Sequence, residues 1–156
     1  MSEKVCLQVQ YAPKSICYGC GPANPDGLHI SSFPQDDGSL VASWQPERKF
    51  QAFPGIIYGG MVCSLLDCHC NWMASWHIMQ QNGLSSPPCT VTAEHNVKFK
   101  RPTPCDGAIT MVARVVDSKE DRATVYGELV AGEKVCATCT SVFVAVKEGH
   151  PAFHRW

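Results

Sequence analysis

The sequence predicts an α+β fold, in which one long buried helix is followed by a run of antiparallel strands. Two observations predict it. Residues 60–81 carry the only long apolar pattern with helical spacing, and residues 89–146 alternate with period two in segments separated by short polar turns. A length of 156 residues fits one domain over 1–156, and such a domain buries roughly 68–70% of its unfolded surface. Within it, residues 1–27 read as a loop-rich leader and 147–156 as a tail, with Phe153 and Trp156 as docking aromatics.

The elements follow in order. Pro13, Gly19, Gly21, Pro22, Pro25 and Gly27 make residues 11–27 irregular. Leu28 to Phe33 and Ser39 to Trp44 flank Asp37-Gly38, a hairpin turn signal. Residues 45–57 read as a loop containing Pro46 and Pro54-Gly55. Gly59-Gly60 then opens the helix. Met61, Leu65, Cys68 and Trp72 form one stripe, and Val62, Leu66, Met73, Trp76 and Met79 fill its neighbour. A helix apolar around most of its circumference is buried on several sides. Its remaining face holds Gly60, Ser64, Asp67, Asn71 and Ser75. Asn82-Gly83 and Pro87-Pro88 end it.

Four strands are predicted after the helix. Cys89 to Arg101 alternates Thr90, Thr92, Glu94, Asn96, Lys98 and Lys100 on one face against Val91, Ala93, His95, Val97 and Phe99 on the other. Ala108 to Val116, Ala123 to Val130 and Lys134 to Val146 complete a meander. With the first hairpin this makes about six strands around one helix, an α+β layout.

Composition excludes several function classes. Hydrophobic residues make up 45% and charged residues 17%, as in a globular chain. The net charge is −1, from 13 basic and 14 acidic residues, so nucleic-acid binding has no electrostatic footprint. Asp67, His69, Asn71 and His77 interrupt the longest apolar stretch, which argues against a membrane span. The start, Met-Ser-Glu-Lys-Val-Cys, does not read as a signal peptide. Ten cysteines are then expected as reduced thiols in a reducing cytoplasm, packed as small hydrophobes.

The segment from Phe50 through Pro54-Gly55 to Tyr58-Gly59-Gly60, continued by Met61 to Asp67, resembles the active-site motif of hotdog-fold acyl-CoA thioesterases of the phenylacetyl-CoA and 4-hydroxybenzoyl-CoA type. That motif is usually His-Gly-Gly, six residues, then Asp, and Asp67 follows Gly60 by the required seven positions. Thr92 and Asn96 to Pro102 resemble the family's next strand. Cys17 to Gly21 and Asn24 to Leu28 resemble the leader of one subset. The resemblance spans about residues 17–146. It implies a hotdog fold, a curved antiparallel sheet wrapped around the central helix, and a homodimer, extending in some cases to a homotetramer, whose sheets join edge to edge. It implies an acyl-CoA substrate and no cofactor, while charge and hydropathy leave neither nucleic acid nor membrane as an expected partner.

The residues fit that chemistry. Thioester hydrolysis passes through an oxyanion that needs preorganised donors. The amides of Gly59 and Gly60 at a helix start can supply them. Asp67 is expected as general base or as nucleophile, and the sequence leaves both open. Gly60 and Asp67 share a helix face but lie about 10 Å apart along the axis, so one thioester carbon cannot touch both. A site combining Gly59 or Gly60 of one subunit with Asp67 of the other is expected, and the family implies the same. Thr92 matches a hydroxyl-bearing position beside the carboxylate, though an ordinary strand Thr reads equally well. Tyr58 departs from the family's His: it can donate one hydrogen bond but carries no charge at neutral pH. That departure keeps a non-catalytic acyl- or CoA-binding module as the alternative.

Substrate-binding candidates are Gln51, Phe53, Ser64 and Asn71. Lys98, Lys100 and Arg101 are candidates for CoA phosphates, with Lys98 and Lys100 on the Thr92 face. No metal site is expected. Cys136 and Cys139 face opposite sides of a strand, and Cys68 and Cys70 diverge by about 200° on a helix. Cys17 and Cys20 supply half of a zinc site at most, with two further ligands unidentified. His69, His77 and His95 read as core or interface residues. Dehydratase chemistry needs a His where Ala52 or Trp72 stands.

Overall fold

The computed structural model describes residues 3–154. A short helix α1, Leu7–Tyr11, comes first. Strands β1, Phe33–Pro34, and β2, Leu40–Trp44, follow, then a 3-10 turn at Arg48–Phe50 and the strand pair β3, Gln51–Phe53, and β4, Ile56–Ile57. The central helix α2 runs Gly59–Gln81. Strands β5, Thr90–Phe99, β6, Ile109–Ser118, β7, Arg122–Ala131, and β8, Lys134–Ala145, complete the chain. Six strands form one antiparallel sheet in the order β1-β2-β6-β7-β8-β5, with β3 and β4 apart. This is the α+β hotdog arrangement, an antiparallel sheet with one long helix against it.

The core lies between α2 and the sheet. Met61, Leu65, Leu66, Met73 and Ile78 meet Met111, Val125, Leu129 and Phe143, all fully buried or nearly so. Each such side chain contributes about 1.5–3 kcal/mol by burial. The helix is apolar on several sides because elements cover it on several sides. The leader folds across it opposite the sheet, putting Ala12, Leu28 and Ile30 into the same core.

Several sequence expectations are corrected. Leu28 to Phe33 is not a strand: only Phe33–Pro34 pairs with β2. The backbone of residues 28–32 is bonded to the leader instead, through Leu28 to Tyr18, Ile30 to Gly19, and Ser32 to Leu7. The leader itself contains α1. Its Gln8, 1% exposed, donates to Ser32 Oγ and accepts from the Ser32 amide. Residues 45–57 also hold more structure than a loop. Phe153 is half-buried and stacks edge-on with His154, while Trp156 lies outside the described residues.

The most consequential correction is in β5. Its register against β8 slips between Thr92 and Glu94. Thr92 pairs with Phe143, but after the bulge His95, Val97 and Phe99 pair with Ser141, Cys139 and Ala137. Those β8 residues are all buried, so alternation changes phase at Ala93. Thr92, His95, Val97 and Phe99 therefore face the helix together. Glu94, Asn96 and Lys98 face outward. Lys98 is not on the Thr92 face.

Candidate active site

Asp67 sits mid-helix, half-buried, and Thr92 donates from its hydroxyl to Asp67 Oδ1 at 2.8 Å. Both line a cleft of about 440 Å³ with Asn71, Trp72, Val91 and Ile16. Asn71 is anchored: its amide nitrogen donates to the Thr90 carbonyl at 3.3 Å, and its oxygen accepts from the Thr90 hydroxyl. Next along the stripe, Ser75 is fully buried and donates to the Pro88 carbonyl. The polar stripe thus divides. Asn71 and Ser75 hold the segment entering β5, and only Gly60, Ser64 and Asp67 remain toward the open side. Ser64 spends its hydroxyl on the Gly60 carbonyl at 2.9 Å.

The helix start faces a second groove of about 330 Å³, lined by Phe53, Ile56, Gly59, Phe99, Lys100 and Arg101 among others. Tyr58 is the N-cap but makes no side-chain cap bond, and the first turn holds no acidic residue. No described carbonyl accepts from the amides of Gly59 or Gly60, so these donors and the positive end of the helix are available to a ligand. Tyr58, 41% exposed, folds its ring back over Gly60. A Cβ at Gly60 would stand 2.5 Å from that ring, so a side chain there would displace the tyrosine ring. The groove and the Asp67 cleft share no lining residue.

The other candidates are placed as follows. Gln51 donates to the Arg48 carbonyl at 2.8 Å and accepts from the Gly55 amide at 2.6 Å. It braces the loop between β3 and β4, its amide committed at both ends. Phe53, 58% exposed, lines the helix-start groove and a wider cleft of about 680 Å³ beside that loop. Lys100 and Arg101 line the groove, and Arg101 also donates to the Val135 carbonyl at 2.7 Å. Lys98 is exposed on the outer face, away from both openings. The three histidines are structural. His95 bonds Ser141 Oγ at 2.6 Å and the Cys63 carbonyl at 3.0 Å. His77 meets Ser118 Oγ at 3.1 Å. His69, fully buried, accepts from Ser32 Oγ and donates to the Leu40 carbonyl, and burial pushes its pKa down to about 4.

One grouping escaped the sequence. Cys68 turns toward the leader, so that the thiols of Cys17, Cys20 and Cys68 lie within 4.8 Å of one another. Comparing Cys68 with Cys70 on one helix misses it, because Cys70 points to Cys139 at 3.5 Å instead. Hydrogen bonds from its two neighbours hold the Cys17 thiol well below the usual range, while the bond to Cys17 pushes Cys20 up to about 12 and raises Cys68.

Residues 61–152 match the family model of the thioesterase-like superfamily, a span that includes Asp67 and Thr92 and begins one residue after Gly60. The chain is similar to a thioesterase superfamily protein from Shewanella loihica, at 27% identity and a TM-score of 0.64 over 76% of this chain and 91% of that one. Two further structures share the fold. A phenylacetic acid degradation-related protein from Ralstonia eutropha is 24% identical, covering 76% of this chain and 86% of that one with a TM-score of 0.63. A Bacillus halodurans protein solved with CoA is 20% identical, covering 78% and 76% with the same TM-score. No curated protein matches the chain. Among the described residues no helix is long and apolar enough to cross a membrane.

Proposed function

We propose that this chain, which belongs to the thioesterase-like superfamily, hydrolyses an acyl-CoA thioester at a site shared by two copies. The supporting observation is the division of labour along α2. An Asp67–Thr92 pair opens on one cleft, and Gly59 lines another at the helix start, where no described carbonyl accepts from the Gly59 or Gly60 amide. Neither opening is complete alone. A two-fold partner brings the Asp67 of one copy to the helix start of the other. Strand β5 ends the six-stranded sheet and is the surface for that pairing, since a long edge strand is a liability unless covered.

In this reading Thr92 orients Asp67, whose free oxygen activates water or attacks the thioester carbon directly. The Gly59 and Gly60 amides receive the developing oxyanion. Tyr58 supplies a neutral hydroxyl beside them in place of a charged donor. Phe53 and Phe99 offer apolar surface to the acyl chain, and Lys100 and Arg101 offer charge to CoA phosphates. The products are a carboxylic acid and free CoA thiol. The B. halodurans protein solved with CoA is consistent with this ligand class.

The test is free-thiol release from a panel of acyl-CoA thioesters, comparing wild type with Asp67→Asn. Turnover by wild type that is lost in the variant is expected. Tyr58 favours one other reading, a binding module. Saturable acyl-CoA binding with no turnover on any substrate would establish that reading and overturn hydrolysis.

A further inference from the structure

We propose that Cys17, Cys20 and Cys68 form a three-thiolate site for one zinc ion, clamping the leader loop to the central helix beside Asp67. The inference does not depend on the hydrolase reading.

Three separate features converge. The first is spacing. Cys17 Sγ and Cys68 Sγ are 3.8 Å apart, and all three sulfurs lie within 4.8 Å of one another. A tetrahedral zinc with Zn–S bonds of about 2.3 Å needs S···S edges of about 3.8 Å. One edge is already at that length, and the others need a closure of about 1 Å or less. The second is the loop. Gly19 passes directly over Cys68: a Cβ there would lie 2.3 Å from Cys68 Sγ. The absent side chain is what allows the third thiol to reach the Cys17–Cys20 turn. The third is outer support. Trp72 Nε1 donates to Cys20 Sγ at 3.3 Å, the kind of bond that orients a metal-bound thiolate and offsets its charge.

Rival explanations fit less well. Thiols packed only as small hydrophobes are buried, as Cys70 and Cys139 are, whereas Cys17 is exposed. A disulfide would use two of the three sulfurs and leave the third without a role. The donor set is all sulfur, which suits a borderline or soft cation and not magnesium or calcium. All three cysteines line the same cleft as Asp67, which leaves the fourth coordination position to water. The clamp would fix Ile16 and Cys17 as one wall of that cleft.

The test is anaerobic titration of the reduced, full-length protein with Co²⁺, followed by Zn²⁺. One equivalent of Co²⁺ is expected, with sulfur-to-cobalt charge-transfer absorption and tetrahedral d–d bands that Zn²⁺ abolishes. Zinc should also protect Cys17 from alkylation. The exposed position of Cys17 makes Cys17→Ser a mild variant, and its fold is checked by circular dichroism. That folded variant should lose the cobalt spectrum, and Cys105→Ser should keep it. A wild-type spectrum no stronger than that of Cys17→Ser, or one unchanged in that variant, would overturn the site. So would peptide mapping that finds two of the three cysteines joined as a disulfide in protein purified anaerobically without reductant.

Discussion

Thr92 and Asp67 are 25 residues apart in sequence, yet the hydroxyl of one donates to Oδ1 of the other at 2.8 Å. The bond occupies one carboxylate oxygen, the second has no hydrogen-bond partner among the described residues, and Asp67 lines the cleft. A hydrogen bond to a charged group contributes about 1.5–3 kcal/mol, and Thr92 is exposed, so the lower end applies. Thr92→Val is expected to lower kcat by roughly 10-fold with little change in KM, and Thr92→Ser to retain most of it. Equal kcat in the Val variant and wild type would remove Thr92 from the mechanism.

Asp67→Asn keeps the shape and the Thr92 contact while removing the charge. Loss of a general base lowers kcat by roughly 10²–10⁴-fold. A single turnover in H₂¹⁸O separates the two roles. If Asp67 activates water, the label enters the product acid. If Asp67 attacks carbon and water then opens the mixed anhydride at the Asp67 carboxyl carbon, the label appears in the Asp67 carboxylate, read by peptide mass spectrometry.

The two clefts share no lining residue within one chain, so a shared site predicts complementation. Gly60→Leu displaces the Tyr58 ring and blocks the helix start. Mixed with Asp67→Asn, it forms heterodimers in which one site carries both lesions and the other neither. Random pairing of equal amounts then restores about a quarter of wild-type activity from two inactive parents. No recovery, after verified subunit exchange, would mean that the catalytic groups act within one chain.

Local patterns made the helix, the later strands and the Gly60-to-Asp67 spacing legible in the sequence. Period 3.6 and period 2 are properties of neighbouring residues, and α2 and β6 to β8 follow them. What escaped depends on distant partners. Nothing near Ala93 marks the bulge that turns Lys98 outward, because the slip is set against β8. Residues 28–32 have a strand-like composition, but the leader takes their backbone bonds, and His29 adopts a positive φ of 52°. Cys68 fills an apolar stripe position, and only the close pass of Gly19 reveals its other neighbours.

The bulge carries its own prediction. Lys98 faces outward with Glu94 and Asn96, while Lys100 and Arg101 border the groove at the helix start. Lys98→Ala should leave KM for acyl-CoA unchanged. Lys100→Ala should raise KM a few-fold, with the difference shrinking as salt rises, because exposed phosphate contacts are screened. An equal rise for both variants would contradict the register of β5.

His69 sets a pH limit on stability. Its ring is fully buried between Ser32 Oγ at 2.8 Å and the Leu40 carbonyl at 2.9 Å. A carbonyl only accepts, so Nε2 carries the proton and Nδ1 accepts from Ser32. Protonating the ring would place an unpaired charge in the core, and burial therefore holds the folded pKa at about 4, against 6.5 unperturbed. Between those values the unfolded chain binds the proton and the folded one does not. Stability from this residue is thus present above about pH 6.5 and is lost as pH falls toward 4, a total on the order of 3 kcal/mol. His69→Gln can still donate to Leu40 and has nothing to titrate. It is expected to be less stable than wild type at pH 7 and to close that gap as pH approaches 4. Urea denaturation of both proteins across this range measures the gap, and parallel curves would mean that His69 is not buried as the neutral ring.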